Sequence, residues 1–435
     1  MIALLLAAQL AAAPGPSLAP AAADTIPVLT LAEALESALA LDPDYVQALG
    51  SVAEADWVRK MSRVAFLVPS VTASLDYTKY SRAFFNIGTL TPSSTSSTFR
   101  LTASYDLLSA RKFAELGRAQ AELENATSTE VQKRFAAALL TESAYYGVLT
   151  DLELARVARD RAARAEEQLR LARARVASGA AVQSDSLTVR LELVKARTDL
   201  LRQDAALQVS QLELGRRVGI AGPATAVPLD SAPPAALPLS LPDAISQALE
   251  QGPEYRAARA RERAAAAQVR QRQGGYLPTL TVAGAHNRFD TGIFPGAANV
   301  SSLTFTLSLP IWDGGQRELG IRQAETARDV SRAVRADLER AALRDVTEAY
   351  TGYETARAEV GLATEGLGVA RENYRVQSAR YQAGATTVLD LLTAQNGLSD
   401  AEAQLVQARY GARLALARLE AILGTRFAND NGGGQ

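Results

Sequence analysis

The sequence predicts a mixed α/β membrane protein whose chain consists of two copies of one structural unit. The same motifs occur twice in the same order, at a period of about 205–210 residues, which is much longer than the period of a solenoid. Each copy contains two segments in which apolar and polar residues alternate, as they do in β-strands with one apolar face. Long heptad-regular stretches fill most of the remaining chain and predict antiparallel coiled-coil helices.

Composition excludes several classes of function. The chain has 435 residues and no cysteine, which excludes thiol catalysis, cysteine–metal sites, disulfides and the acylated cysteine of bacterial lipoproteins. The net charge of −1 gives no reason to expect a nucleic-acid partner. His286 is the single histidine, so a structural or lumen-facing role is expected rather than catalysis or metal binding. We therefore expect neither enzymatic activity nor a cofactor.

Residues 1–23 resemble a secretory signal peptide. An apolar run from Ile2 to Ala13 is followed by small residues, and the alanines at 21–23 form a cleavage signature before Asp24. Export is the favoured interpretation, and a hydrophobic accessory tail is the alternative. No other window has the length of a transmembrane helix, so any membrane span is expected to be a β-strand.

Internal alignment divides the rest of the chain into two repeats and a linker. The first repeat spans residues 24–219 and the second spans residues 241–424, and the Pro- and Ala-rich segment 220–240 joins them. Residues 425–435 are expected to form a flexible tail. The clearest matching pairs are Leu29–Ala48 with Leu239–Ala258, and Phe66–Leu75 with Tyr276–Ala285.

Each repeat is predicted to begin with a helical segment and to continue with two strands. The helical segments are interrupted at Pro43 and Pro253, because proline breaks the hydrogen-bond ladder inside a helix and is favoured at a helix start. They span Leu31–Ala65 and Leu241–Gln273. The strands have about 10–11 residues, the length of a tilted transmembrane β-strand. They are Ser70–Tyr80, Thr98–Leu107, Thr279–Phe289 and Ser301–Ile311.

Four transmembrane strands per chain are too few to close a barrel. Known transmembrane barrels begin at about eight strands, and lipid does not tolerate an open sheet edge. The strands therefore need other chains, and symmetric self-association is the simplest solution.

A very long helix follows the strands in each copy. Ser109–Ala177 and Gly314–Gln382 each have about 70 residues, which corresponds to about 105 Å of helix. Alanine at many seam positions predicts that neighbouring helices approach closely. Gly179 and Gly384 are expected to end these helices with a positive φ, and a shorter helix returns after each glycine.

The order of these elements resembles that of the TolC family of outer-membrane efflux channels. The resemblance covers about Leu29 to Gly424 and rests on the Pro-x-Tyr near the start of each repeat, the strand-to-helix junction Leu309–Gly315 (LPIWDGG) and the turn Tyr381-x-x-Gly384-x-x-x-x-x-Asp390. It implies a homotrimer with a twelve-stranded barrel in the outer membrane and a twelve-helix tunnel across the periplasm. Outer-membrane lipid would surround such a barrel.

The resemblance also implies a function and partners. It describes a passive exit duct in a tripartite efflux or type I secretion system, opened by a periplasmic adaptor and an inner-membrane transporter of the RND, ABC or MFS type. The alternative is a periplasmic coiled-coil adaptor or scaffold. The amphipathic strands and their duplication argue against that alternative, since a protein that only bridges partners has no use for lipid-facing strands.

Two groups of residues at the helix turns acquire roles from the resemblance. The tip triplets are expected to dock the adaptor, and the residues around them are expected to form the periplasmic aperture. The triplets are Ala177-Ser178-Gly179 and Gln382-Ala383-Gly384, and the aperture residues are Asp185, Tyr381, Thr386, Asp390 and Thr393.

Two of the aperture positions depart from the family pattern. Thr386 stands where a basic residue often clamps an acid, and Thr393 stands where a second acidic ring can lie. The closed state is therefore expected to depend on weaker contacts, such as a Tyr381–Asp185 hydrogen bond. Both aperture aspartates also have a local interpretation, because an acid in the first turn of a helix gains roughly 0.3–1 kcal/mol from the helix dipole.

Overall fold

The computed structural model describes residues 26–86, 90–228, 233–296 and 298–427. The predicted signal peptide and most of the predicted C-terminal tail lie outside these ranges. The chain divides into two compact units, and each unit combines parts of both sequence repeats. Of the described residues, those up to 46, those from 133 to 248 and those from 343 onward form the first unit, and those of 47–132 and 249–342 form the second. Within the described ranges, no helix is both long and apolar enough to cross a membrane.

Both repeats contain the predicted elements in the predicted order. The first copy comprises β1 (Val28–Leu29), α1 (Leu31–Leu41), α2 (Pro43–Leu67), β2 (Ser70–Asn86), β3 (Thr91–Leu108), α3 (Ala110–Ala177) and α4 (Gln183–Val218). The chain continues with β4 (Thr225–Ala226), α5 (Leu241–Gln251), α6 (Pro253–Gln273), β5 (Thr279–Asp290), β6 (Ala298–Ser308), α7 (Gln316–Gln382) and α8 (Val388–Leu423).

The helix interruptions predicted at Pro43 and Pro253 are confirmed. Each proline is the first residue of the second helical piece, where its missing N–H leaves no hydrogen bond unmade. Helix α1 begins at a capping box, in which the side chains of Thr30 and Glu33 each accept from the other's backbone N–H.

The second unit contains a four-stranded antiparallel sheet in the order β2-β3-β5-β6. Strands β2 and β3 are longer than predicted, because their pairing resumes at Phe84 after an irregularity. The bound predicted for β6 was wrong, because the strand ends at Ser308 and not at Ile311. Pro310 has no N–H for the ladder, and Arg317 binds the carbonyl groups of Pro310 and Ile311.

One face of β6 is apolar and exposed. Leu303, Phe305 and Leu307 alternate with polar residues, and all three side chains are largely accessible in the single chain. Strands β2 and β6 are the edge strands, and among the described residues each pairs on one side only. Exposed apolar side chains and unpaired strand edges are unfavourable in water, so this sheet is expected to contact a partner protein or lipid.

The first unit packs around buried tyrosines on its long helices. The hydroxyl of Tyr145 on α3 donates to the carbonyl groups of Leu29 and Val227 at 3.2 and 3.1 Å, beside the parallel β1–β4 pair. The hydroxyl of Tyr353 on α7 donates to the carbonyl group of Ala235 at 2.6 Å. The described part of the predicted linker is therefore hydrogen-bonded to both long helices.

The start of the predicted C-terminal tail is also bound to helices of the first unit. The Nε2 atom of Gln247 donates to Thr425 at 2.9 Å, and Arg426 forms an ion pair with Glu142 at 2.6 Å. The backbone N–H of Phe427 donates to the carboxylate of Glu420 at 2.9 Å.

Candidate aperture at the helix turns

The two turns that end α3 and α7 have the same backbone geometry. Gly179 and Gly384 have φ values of 74° and 76°, as predicted for glycines that end helices. In the first turn, the N–H of Ala180 donates to the carbonyl of Arg175 at 2.8 Å, and that of Gly179 donates to Val176 at 3.0 Å. The second turn repeats both bonds at the equivalent positions. This pair of bonds is the Schellman motif, which satisfies the last carbonyl groups of a helix.

The six residues of the tip triplets are all exposed. Glycine, alanine and short polar side chains form this surface, so the backbone of each turn is accessible to another protein. The hydroxyl of Ser178 donates to the carbonyl of Arg175 at 3.0 Å and is the one triplet side chain tied to its own turn among the described residues. The adaptor-docking role predicted for these triplets remains a prediction.

Tyr381 is the most deeply buried of the predicted aperture residues. Its side chain is 3% exposed and packs among apolar residues of α3, α4 and α8, including Leu169, Val189 and Leu391. Burial raises the pKa of the Tyr381 hydroxyl above its usual value, and the nearby Asp185 carboxylate acts in the same direction.

The predicted Tyr381–Asp185 hydrogen bond is absent. The hydroxyl of Tyr381 is enclosed without a hydrogen-bond partner in the described part of the chain. This prediction was wrong because the tyrosine ring packs into the apolar cluster, where its hydroxyl is out of hydrogen-bond reach of the carboxylate.

Arg175 forms the contact that ties the two turns together. Its guanidinium lies 4.7 Å from the centre of the Tyr381 ring and donates to the carbonyl oxygen of Tyr381. It also donates to the carbonyl of Ala180 at 3.4 Å, within its own turn. Arg175 therefore connects the end of α3, in the first repeat, to the end of α7, in the second.

Sequence reasoning missed Arg175, although a signal was present. The two turn stretches, RVASGAA and RYQAGAT, each begin with an arginine, and the second arginine is Arg380. Arg380 donates to the carbonyl of Ala385 at 3.4 Å, just as Arg175 donates to Ala180. A comparison of the repeats therefore identifies both arginines, but only the folded chain brings Arg175 to the tyrosine of the other repeat.

Asp390 takes part in a complete capping arrangement at the start of α8. Its backbone N–H donates to the Thr387 hydroxyl, and its carboxylate accepts from the backbone N–H and the hydroxyl of Thr387. The Thr386 hydroxyl donates to the same carboxylate at 2.8 Å. These hydrogen bonds hold the pKa of Asp390 below its usual value. The carboxylate therefore caps its own helix, as the local interpretation predicts, and Thr386, which departs from the family pattern, contributes to this cap.

The first repeat lacks this capping arrangement. Helix α4 has Val182 at its N-cap, where no side chain can accept from the helix, and Asp185 is only partly exposed. Thr393 lies exposed on the first turns of α8. Their roles in an aperture remain predictions.

Two arginines that precede Arg175 in α3 form a second set of contacts between the repeats. Arg161 and Arg164 extend from this helix to both returning helices, α4 and α8. Arg161 contacts Glu192 at 2.5 Å, Asp199 at 3.0 Å and Asn396 at 3.1 Å, and Arg164 contacts Ser399 at 3.2 Å and Glu402 at 2.9 Å. These contacts join different helices, unlike an ion pair between residues three or four positions apart on one helix.

The chain has no cysteine, so histidine, aspartate and glutamate are the side chains that could hold a metal ion. Within the described ranges, no group of three or more His, Asp and Glu side chains is placed to hold a metal ion. The ring of His286 on β5 is hydrogen-bonded across the sheet to the hydroxyl of Ser301 at 2.9 Å. His286 therefore has a cross-strand structural partner.

The duplicated unit of two amphipathic strands, a long helix, a glycine-ended turn and a returning helix defines a class of membrane protein in which a sheet is joined to helical hairpins. The chain belongs to the outer membrane efflux protein family. The profile of that family matches residues 34–219 and 244–425, and so covers both repeats. This membership places the chain in the outer membrane.

Individual relatives agree with this assignment. The chain is similar to the outer membrane efflux protein BepC of Brucella suis biovar 1, with 27% identity over 274 residues, 62% of this chain and 59% of the relative. It is similar to the outer membrane protein OprJ of Pseudomonas aeruginosa, with 27% identity over 186 residues, 42% of this chain and 39% of the relative. These alignments span less than two thirds of the curated relatives.

A solved structure has the same fold. The outer membrane protein VceC of Vibrio cholerae superposes on this chain with a TM-score of 0.74 at 20% identity, over 92% of this chain and 97% of that one. This likeness establishes the fold alone.

Proposed function

We propose that the chain is the outer-membrane channel of a tripartite efflux or type I secretion system. It would act as a passive exit duct, opened by a periplasmic adaptor and an inner-membrane transporter of the RND, ABC or MFS type. The observation that carries the proposal is the amphipathic four-stranded sheet with two open edges, joined to long helices that end in exposed glycine turns.

The open sheet edges support a homotrimer. Because lipid does not tolerate an unpaired edge, β2 of one copy must pair with a strand of another, and β6 is the available partner edge. Three copies would then supply twelve strands for one barrel and twelve helices for a tunnel. The same reasoning disfavours a periplasmic adaptor or scaffold, which needs no lipid-facing sheet.

Helix α4 carries a second unpartnered surface. The apolar residues Leu187, Leu191, Val194 and Leu201 follow one another at spacings of four, three and seven residues, and all are exposed in the single chain. Such a stripe is the face that a helix buries against another helix. The stripe supports self-association through the helices as well as through the sheet.

The membrane location, the oligomeric state and the binding partners of the protein test the proposal. We expect the full chain to leave the outer-membrane fraction only in detergent, as a trimer, and to co-purify with an adaptor and a transporter. Recovery as a water-soluble periplasmic monomer would contradict the channel and favour the adaptor alternative.

Asp390→Asn tests whether the aperture carries a ring of carboxylates. Three copies would place three exposed Asp390 side chains around one axis, and such a ring would attract cations. We expect the variant to weaken block by divalent cations about tenfold in planar bilayers, because asparagine keeps the cap but removes the charge.

Asp400→Asn is the matched control for this substitution, since Asp400 is an exposed acid further along α8. Its divalent block should equal that of the wild type. If Asp390→Asn also leaves the block unchanged, Asp390 is a helix cap and not part of a pore ring.

A further inference from the structure

A polar pocket lies in the second unit, where its helices meet the ends of its strands. The pocket has a volume of about 220 Å³. Its lining comes from three places in the sequence, namely Arg111 at the start of α3, residues 271–275 at the end of α6, and the junction 313–320 that leads into α7. Arginine is the main charged residue of this lining.

One of the three arginines is fixed by its neighbours. Arg317 donates to the carboxylate of Asp313 at 2.9 Å and to the carbonyl of Pro310 at 2.7 Å. Its guanidinium also stacks 4.8 Å from the centre of the Tyr276 ring. Arg317 therefore neutralises Asp313, the one carboxylate in the pocket lining.

The other two arginines, Arg111 and Arg272, have no hydrogen-bond or ion-pair partner in the part of the chain that the structure describes. One glycine lies beside each of them. A β-carbon at Gly274 would lie 3.0 Å from the backbone of Arg111, and one at Gly320 would lie 3.9 Å from Nη1 of Arg272. The pocket thus holds two guanidinium groups whose charge nothing in its lining compensates.

An apolar and aromatic surface borders the pocket on the side of the strands. Tyr276, Leu277, Leu309, Ile311 and Trp312 are all exposed there. Tyrosine and tryptophan are enriched where a bilayer meets water, so Tyr276 and Trp312 fit an interfacial position. A ligand in this pocket would therefore have its polar part beside the arginines and its apolar part along the strand ends.

We propose that Arg111 and Arg272 bind the phosphate diester of a glycerophospholipid in the leaflet at this end of the sheet. Guanidinium groups form paired, charge-assisted hydrogen bonds with phosphate oxygens, and the acyl chains would cover the exposed apolar side chains. The proposal rests on the sheet lying in the outer membrane, as in the proposed function, but it does not require the chain to conduct.

The test is lipid binding by the full chain in its assembled, detergent-purified form. Phosphatidylethanolamine is titrated and its retention is followed by native mass spectrometry. We expect the double variant Arg111→Gln/Arg272→Gln to bind the lipid at least about tenfold more weakly, because it loses the charge-assisted hydrogen bonds to the phosphate. Arg272→Lys, which keeps the charge, should retain most of the affinity.

Arg322→Gln is the control, since Arg322 is an exposed arginine on α7 that pairs with Glu325 outside the pocket. It should bind the lipid as the wild type does. Unchanged affinity in a double variant that assembles normally would overturn the proposal. Inorganic phosphate forms a separate arm: if it binds as tightly as the lipid, the pocket is a small-anion site and the lipid assignment is wrong. Neither outcome bears on transport, so failure here leaves the proposed channel function standing.

Discussion

Replacing Arg175 with alanine is expected to open the aperture of the proposed channel. The substitution removes a charge-assisted hydrogen bond to the carbonyl of Tyr381 and a cation–π contact with its ring. Together these interactions contribute about 2–3 kcal/mol, so the open population should rise at least about tenfold. Single-channel conductance of the purified trimer in planar bilayers, without adaptor, measures this change.

Arg380→Ala is a closely matched control for this experiment. Arg380 occupies the same position in the second repeat, and it donates a hydrogen bond to the carbonyl of Ala385 within its own turn. Its loss should leave the conductance near that of the wild type, because no contact between the two turns is removed. If the two variants conduct equally, Arg175 stabilises its own turn and does not hold the aperture closed.

The second large effect is expected at Glu420, near the end of α8. Its side chain is 8% exposed and lies near Glu142, Tyr146 and Arg426. Burial raises the pKa of Glu420 to about 7. The hydrogen bond from the backbone N–H of Phe427 and the charge of the Arg426 guanidinium lower this pKa, but by less than burial raises it. Glu420 is therefore largely protonated in the folded chain under mildly acidic conditions.

The sign of the pH dependence follows from this raised pKa. Below the ordinary glutamate pKa of 4.5, the residue is protonated in both the folded and the unfolded state, and its stabilising effect is complete. As the pH rises from 4.5 to about 7, the unfolded chain ionises this carboxyl while the folded chain keeps it protonated, so the free energy of unfolding falls by roughly 3 kcal/mol in total.

Glu420→Gln is expected to remove this pH dependence. The melting temperature of the variant should exceed that of the wild type above pH 7 and approach it near pH 5, as followed by circular dichroism in detergent. Glu372→Gln is the control, since Glu372 is an exposed acid whose pKa is lowered by Arg375. A wild-type decline in stability between pH 5 and 8 that persists unchanged in Glu420→Gln would contradict this assignment.

Asp390 has two possible roles, as a cap of helix α8 and as part of a ring of carboxylates in the pore. Thr387 and Thr386 bind its carboxylate, and this capping arrangement accounts for an aspartate at the position without any gate. The carboxylate nevertheless remains exposed at the turn. A pore ring therefore remains a prediction about the trimer, and the asparagine substitution separates the two roles.

Elements that depend on local interactions could be predicted from the sequence alone. Strand and helix periodicities predicted the four strands and the long helices, and the glycines at 179 and 384 predicted the turns because a positive φ is a property of one residue. Pro43 and Pro253 marked the helix breaks for the same kind of reason. Comparison of the two halves supplied the repeat and, through it, the family resemblance.

Contacts between residues far apart in the chain depend on the tertiary structure and could not be predicted from the sequence. Arg175 contacts Tyr381, and Arg161 contacts Asn396, although each pair joins different repeats. Glu420 has a raised pKa because the helix packing buries it, and no spacing within α8 indicates this. The periodicity of a sequence indicates which face of a helix or strand is apolar. The partner of a charged side chain depends instead on how the elements pack, because packing brings together residues that are far apart in the chain.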